Sequence, residues 1–376
     1  TFADVGSILL WENDTLKTKV SWGLDERVLQ AIKLRETHQP VYMEAFQGKK
    51  LYMFPVLREN PDIEMDQLEV MVESLICIPL LSKERCVGVI SIINSMEIEE
   101  FDDFSKKMIS AVAGFAAVAI ENAILHQASL DKQKLEQELR LGQDIQLRLL
   151  PQSHPEVKGV DFGTKYVATK EIGGDYYDFM QTDGELHVIV ADVSNKGVPA
   201  ALVMTATRAI MRGSLEAEKT PPNVLSRSNK LIYDDIHRDT DMFVTMFYGC
   251  LDINSHKFRY ANAGHCYPLI FRRNEKEPLR LKEGGVFLGI MDDIEFEEGE
   301  FQFQSGDFVF IYTDGVIESV NRYNELFGED RVCQFISRNL SLSAQEIVDK
   351  LYKELTRYSE NLPQADDIAM VALKFK

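Results

Sequence analysis

The chain has 376 residues, with 41 Lys plus Arg against 60 Asp plus Glu, a formal net charge of −19, and 45% hydrophobic and 27% charged residues. That length suits roughly two to three domains, and the composition excludes a disordered chain. The acidic surplus argues against a general nucleic-acid or anionic-membrane binder, which needs a basic footprint, and allows that some carboxylates hold cations.

The cysteines are Cys77, Cys86, Cys250, Cys266 and Cys333, odd in number and without a C-x-x-C pair. No disulfide framework is expected, and a reducing, cytoplasmic compartment is. No signal peptide opens the chain, and Thr1 reads as the start of a fragment of something longer.

Residues 1–105 form a first piece. SILLWE reads as a strand and ERVLQAIKLRET as a helix. SLICIPLL and CVGVISIIN, joined by the polar turn Ser82–Arg85, read as a hairpin.

Residues 106–151 form a second piece. Met108, Val112, Phe115, Ala119, Ile120, Ala123 and Ile124 recur at helical spacing, and Leu135, Leu139, Ile145 and Leu149 extend the signal until Pro151 stops it. Such a helix would be about 70 Å long. Pairing with a second copy as a coiled coil is the expected way to bury its stripe, with packing onto its own domain as the alternative. The run Met108 to Leu125 is interrupted by Ser110, Glu121 and Asn122, and reads as a buried helix rather than a membrane span.

Residues 152–376 form a third piece, alternating strands and helices. HVIVAD, FVTMFYGCLD, FRYANAGH, DFVFIYTDG and IAMVALKF read as strands; VPAALVMTATRAIMR and SAQEIVDKLYKELTRYS read as helices. Carboxylates recur at the strand ends. Asp192 closes HVIVAD, Asp314 closes DFVFIYTDG, Asp175 follows two glycines, and Asp366 and Asp367 precede IAMVALKF. Each alone is ordinary turn or cap chemistry. Converging in one cleft, they would need a compensating cation. Oxygen-only ligation suits Mg²⁺ or Mn²⁺, and no His-x-x-x-His or paired Cys argues for zinc.

The motifs IGGDYYDF, VIVADVSNKGVPAALVM, FVTMFYGCLD, ANAGHCYPLI, FIYTDGVIES and QADDIAMVAL stand in order from Val160 to Lys376. They resemble the PPM (protein phosphatase 2C) class of metal-dependent serine/threonine phosphatases, in its bacterial SpoIIE/RsbU branch. LGQDIQLRLLPQ is similar to the helix leading into that domain. The resemblance implies a two-sheet α-β-β-α sandwich with two Mn²⁺ or Mg²⁺ ions at one end. By motif, Asp192 would bridge both ions, the carbonyl of Val193 would add a ligand, Asp175 would serve one ion, and Asp314 and Asp366 the other. Asp367 ranks below Asp366, and Asp178 would order the loop. Asn195 stands where the branch commonly has Gly, and a left-handed Asn preserves the turn. The implied reaction is direct in-line attack of a metal-bridging water on phosphoserine or phosphothreonine. The implied substrate is a STAS-type anti-sigma-factor antagonist. No Arg is identified as a phosphate clamp, and Lys170 and Lys196 read as solvated surface lysines.

SLICIPLLSKERCVGVISIINS followed by EEFDDFSKKMISAVAGFAAVAIENA resembles the second half of a GAF domain, here without its leading helix. That implies a sensory pocket or a ligand-free dimerisation module; His38 and Cys77 read as ordinary structural residues.

His265, Cys266 and Arg272 spell H-C-x5-R, the outline of a cysteine phosphatase loop. The intervening Tyr, Pro, Leu, Ile and Phe cannot form a cradle of backbone N–H groups, since Pro268 has none and LIF reads as strand. The leading expectation is a regulated phosphatase. The alternative is a catalytically weak signalling scaffold that binds its partner through the same fold. A hydrolase of small phosphate esters is a third reading.

Overall fold

A computed structural model describes residues 5–23, 40–54, 74–94, 103–182, 184–237, 240–273, 275, 277–360 and 362–376. The expected helix ERVLQAIKLRET, and His38 after it, lie outside these residues. The chain divides into two compact units, Thr1–Leu135 and Glu136–Lys376.

The first unit is built on an antiparallel sheet of β1 (Val5–Glu12), β2 (Thr15–Gly23), β3 (Tyr52–Phe54), β4 (Ser74–Ser82) and β5 (Arg85–Asn94), in the order β2-β1-β5-β4-β3. The expected hairpin is β4 and β5, paired to Ser82 opposite Arg85 with Lys83 at φ 54° in the turn. Strand periodicity divides β4 between two helices. Leu75 and Cys77 face a cluster with Tyr42 and Ala45 of α1 (Pro40–Gly48). Ile76, Ile78 and Leu80 face Ala113 and Ala117 of α2 (Asp103–Leu149).

Helix α2 has 47 residues and carries two apolar faces. Ile109, Ala113, Ala116, Ala117 and Ile120 pack on the first sheet, with the small alanines allowing close approach. Met108, Val112 and Phe115 point away, and Phe115 is 79% exposed. By length and composition α2 could cross a membrane. Its alanine face is instead committed to the sheet.

The second unit is a sandwich. One sheet runs β13-β10-β9-β8-β7, with β14 also on β10; the other runs β12-β11-β15-β16-β6. The strands are β6 (Val160–Val167), β7 (Tyr176–Thr182), β8 (Glu185–Val193), β9 (Val244–Asp252), β10 (Lys257–Ala263), β11 (Leu269–Phe271), β12 (Leu279–Arg280), β13 (Gly284–Gly285), β14 (Gly299–Gln302), β15 (Phe308–Tyr312) and β16 (Ile368–Phe375). The layers follow from alternation along β15 and β16. Val309, Ile311, Val371, Leu373 and Phe375 enter the core shared by the two sheets. Phe308, Phe310, Tyr312, Met370 and Ala372 turn outward onto α5 (Gly328–Asn339) and α6 (Ala344–Tyr358). Helices α3 (Val198–Ala217) and α4 (Pro221–Ile232) cover the other sheet, giving an α-β-β-α order. Ser343 caps α6 in a full capping box with Glu346.

Candidate metal centre

Four chain segments end at one rim of the sandwich. Strands β7 and β8 pair with Tyr176 opposite Ala191, so the next step outward sets Asp175 beside Asp192. Strands β15 and β16 pair with Tyr312 opposite Met370, which brings Asp314 and Asp366 to the same end of the other sheet. Thr313 joins the two sheets. Its hydroxyl donates to Asp175 Oδ2 at 2.6 Å and accepts the Ala369 N–H at 2.8 Å.

The electrostatics follow from crowding like charges out of water. Burial, then the Asp192 charge, holds the Asp175 carboxyl well above its usual range, while the Thr313 hydrogen bond pulls the other way. Burial, then Asp314 and Asp366, pushes Asp192 up to about 7. Burial, then Asp366 and Glu318, pushes Asp314 up to about 6. The ion pair found for this group among the described residues is Lys196 Nζ to Asp366 Oδ2, at 2.9 Å. One ammonium does not balance four carboxylates, and an all-oxygen donor set fits hard divalent cations.

The expected residues fall into distinct places. Asp175, Asp192, Asp314 and Asp366 come together. At Val193 the partner strand's amide points elsewhere, since Val244 N–H donates to Leu288 O at 3.0 Å. Asp367 commits one oxygen to Thr169 N–H and the other to Gly174 N–H, both at 2.6 Å, and so clamps the loop that leads to Asp175. Asp178 lies apart from the cluster. It is buried, accepts from Tyr176 Oη at 2.9 Å and takes Arg212 of α3 as a fork, Nε at 2.9 Å and Nη2 at 3.0 Å. Asn195 takes φ 72° and Gly197 φ 79°, so the turn survives without a glycine at the first position.

Lys196 is exposed, as expected, but it also pairs with Asp366. The left-handed turn folds it back onto Asp366, a closure that strand and helix spacing does not encode. Thr313 and Gln146 also serve the site. Threonine before the Asp-Gly of a strand end is a sequence signal for the first; the second is one of two glutamines in the helix end, and nothing local distinguishes it from Gln143.

The cysteine reading fails on geometry. Arg272 forks onto Asp307, with Nε to Oδ1 at 3.0 Å and Nη2 to Oδ2 at 2.8 Å. Burial, then the Asp314 and Asp192 charges, pushes the Cys266 thiol up to about 12, which leaves no thiolate to attack. A second group of potential ligands, Glu185, His187 and Cys250, has its atoms within 4.8 Å of one another. It is already compensated: Arg259 holds Glu185 at 2.8 Å, and the His187 nitrogens meet Thr182 Oγ1 at 2.7 Å and Tyr248 Oη at 2.9 Å.

Residues 182–376, just over half of the chain, match the family described as Stage II sporulation protein E (SpoIIE), and residues 1–122 match the GAF domain family. The SpoIIE match takes in Asp192, Asp314, Asp366 and Asp367, and Asp175 precedes it. Phosphoserine phosphatase RsbU of Bacillus subtilis is 29% identical over 245 residues, 65% of this chain and 72% of that protein. Protein IcfG of Synechocystis is 30% identical over 263 residues, 63% of this chain and 41% of that protein. Among solved structures, the SiaA-PP2C domain of Pseudomonas aeruginosa superposes with a TM-score of 0.59 at 20% identity, over 65% of this chain and 99% of that domain.

Proposed function

This chain belongs to the SpoIIE family of serine/threonine phosphatases, and from that premise we propose a metal-dependent, signal-regulated protein phosphatase whose chemistry is done at Asp175, Asp192, Asp314 and Asp366. The observation that carries the reading is the gathering of these carboxylates from four distant segments at one rim, where burial and neighbouring carboxylates raise the proton affinity of Asp175, Asp192 and Asp314. Such a cluster is costly unless a cation shares it.

In this proposal Asp175, Asp192, Asp314 and Asp366, with the Val193 carbonyl as a backbone ligand, would hold the ions. Two Mn²⁺ or Mg²⁺ ions, when bound, supply Lewis acidity and an activated water at neutral pH. The chain's own part is orientation. Thr313 fixes the Asp175 carboxyl, Asp367 fixes the loop before it, and the Asp178–Arg212 fork ties β7 to α3. We assign Asp367 to this supporting role in preference to ligation, because both of its oxygens already accept N–H groups.

We further propose that residues 1–105 are the sensory GAF domain, 106–151 the linker and 152–376 the phosphatase domain, acting in the cytoplasm. The substrate proposed is a phosphorylated STAS-type antagonist; the likeness to phosphoserine phosphatase RsbU supports phosphoserine as the group cleaved. The test is Mn²⁺-dependent release of phosphate from candidate phosphorylated STAS proteins, set against p-nitrophenyl phosphate. The phosphoprotein should be strongly preferred, and Asp192→Ala should abolish turnover of both. A wild-type chain that binds the phosphoprotein without hydrolysing it would favour the scaffold reading.

A further inference from the structure

The last turns of α2 reach the loop that ends in Asp175. Gln146 is 5% exposed, and its side-chain amide pairs with both backbone groups of one residue: Nε2 donates to Gly173 O at 2.7 Å, and Oε1 accepts from Gly173 N–H at 3.1 Å. One turn earlier, Gly142 faces Ile172, whose Cδ1 lies 2.9 Å from where a Cβ on Gly142 would stand. The opposite side of the loop is equally confined. A Cβ on Gly173 would stand 2.4 Å from Tyr166 Oη and 2.7 Å from Asp367 Oδ2. The segment 172–174 is therefore held between a helix on one side and the Asp367 carboxylate on the other.

A primary amide is the side chain suited to this task. It offers one donor and one acceptor at about the spacing of a peptide group, as a neighbouring strand would. A carboxylate would leave the Gly173 carbonyl without a donor, and an apolar side chain would leave both groups buried and unpaired. Two residues further on, the same backbone delivers Asp175 to Thr313 and Asp192.

We propose that Gln146 is a positioning residue for the metal centre, the joint through which the long helix sets the Gly173–Asp175 segment and hence the affinity for divalent cations. This rests on the metal-phosphatase reading above. The helix and the loop share a hydrogen-bonded pair, so a shift or rotation of the last turns of α2 either drags the loop along or breaks the pair. Both outcomes move Asp175. The coupling is a contiguous physical contact between an element that can move and a ligand that must not.

The test measures Mn²⁺ binding to the full chain by calorimetry, and in parallel the Mn²⁺ concentration giving half-maximal dephosphorylation. Gln146→Met keeps the volume and removes both hydrogen bonds. It should weaken Mn²⁺ binding by about 10-fold or more, the usual cost of losing a support behind a ligand. The half-activation concentration should rise by the same factor, while kcat at saturating Mn²⁺ stays within about two-fold. Gln146→Glu, which keeps the acceptor and loses the donor, should fall between Met and wild type and covers the case in which the Met variant fails to fold.

The control is Asn229→Leu. Asn229 is also a buried amide, bonded to Met291 O, Asp292 O and Gly289 N–H in a region that supplies none of the carboxylates. It should lower thermal stability and leave the Mn²⁺ midpoint unmoved. An unmoved midpoint in both Gln146 variants, or an equal shift in the Asn229 variant, overturns the positioning role. If wild type binds Mn²⁺ no better than Asp192→Asn, the metal reading itself falls and this inference falls with it. If wild type binds through Asp192 and the Gln146 variants bind equally well, only the joint is lost.

Discussion

At the scale of single residues, the rim of the sandwich is defined by protons it should not hold. An ordinary Asp titrates near 3.8, yet Asp192 is raised to about 7 and Asp314 to about 6 by burial and by neighbouring carboxylates. Between the unfolded and folded values the native chain binds more protons than the unfolded chain, so this group's contribution to stability falls as pH rises from about 4 to about 7. Cations reverse the balance, since ligation requires the deprotonated form and releases the protons. Metal-stripped protein should therefore gain more thermal stability from Mn²⁺ at about pH 7.5 than at about pH 5.5. Calorimetric scans with and without Mn²⁺ at both values measure this, and an equal gain at the two would place the ion somewhere other than these carboxylates. Thr313 tests the geometry separately. Thr313→Val removes the donor to Asp175 and the acceptor for Ala369 N–H, and should weaken Mn²⁺ binding by about 10–100-fold while β15 and β16 stay paired. Cys266→Ser, by contrast, should leave turnover nearly intact, because burial favours the protonated thiol and Arg272 is committed to Asp307.

At the scale of elements, stability and function separate cleanly on α6. Its Ser343–Glu346 capping box holds the start of a helix whose Ile347, Val348, Leu351 and Leu355 fill the layer over β15 and β16. Ser343→Ala should cost about 1 kcal/mol in urea unfolding and leave the Mn²⁺ midpoint unchanged. The strands that carry the carboxylates were readable in the sequence because apolar alternation and the polar residue at the end of each run are local signals. FVFIY and IAMVALKF even announce two buried faces, one for the second sheet and one for helices. The joining contacts were not readable. Lys196 reaches Asp366 across 170 residues of chain, and Asp367 reaches Gly174 across 193. Neither link leaves a periodic trace. Helix α2 was legible in extent, from Asp103 to Leu149, but its two faces were not told apart. The spacing picked out exposed Met108, Val112 and Phe115 together with Ile120, which packs on the sheet beside Ala113 and Ala117.

At the scale of the whole molecule, the face of α2 left over is the unresolved physical cost. Met108, Val112, Phe115 and Leu125 are all more than half exposed, and Leu135, Leu141 and Ile145 continue as exposed apolar residues toward the C-terminal end. Isolated apolar residues on a surface need no explanation, but a row of them along a helix about 70 Å long does. A second copy of the same helix is the proposed occupant. Parallel pairing places like side chains against like, and a seam over this length can reach the roughly 1,200–2,000 Å² that stable interfaces bury. Sedimentation should therefore give a dimer, and Val112→Glu with Phe115→Glu should give a monomer. The alanine face and first sheet should be untouched, so both proteins should show the same helical content by circular dichroism. In the function proposed above, the same seam would be the lever of the GAF domain. Leu139→Asp with Ile145→Asp alters the helix in its last turns, close to Gln146 in sequence, and replaces none of the rim's carboxylates. Turnover, or its dependence on residues 1–105, should change in that variant while Mn²⁺ still binds at saturation. A variant that remains dimeric, or one that becomes monomeric with turnover and regulation both unaltered, would leave α2 as a tether only and put the control of the metal centre elsewhere.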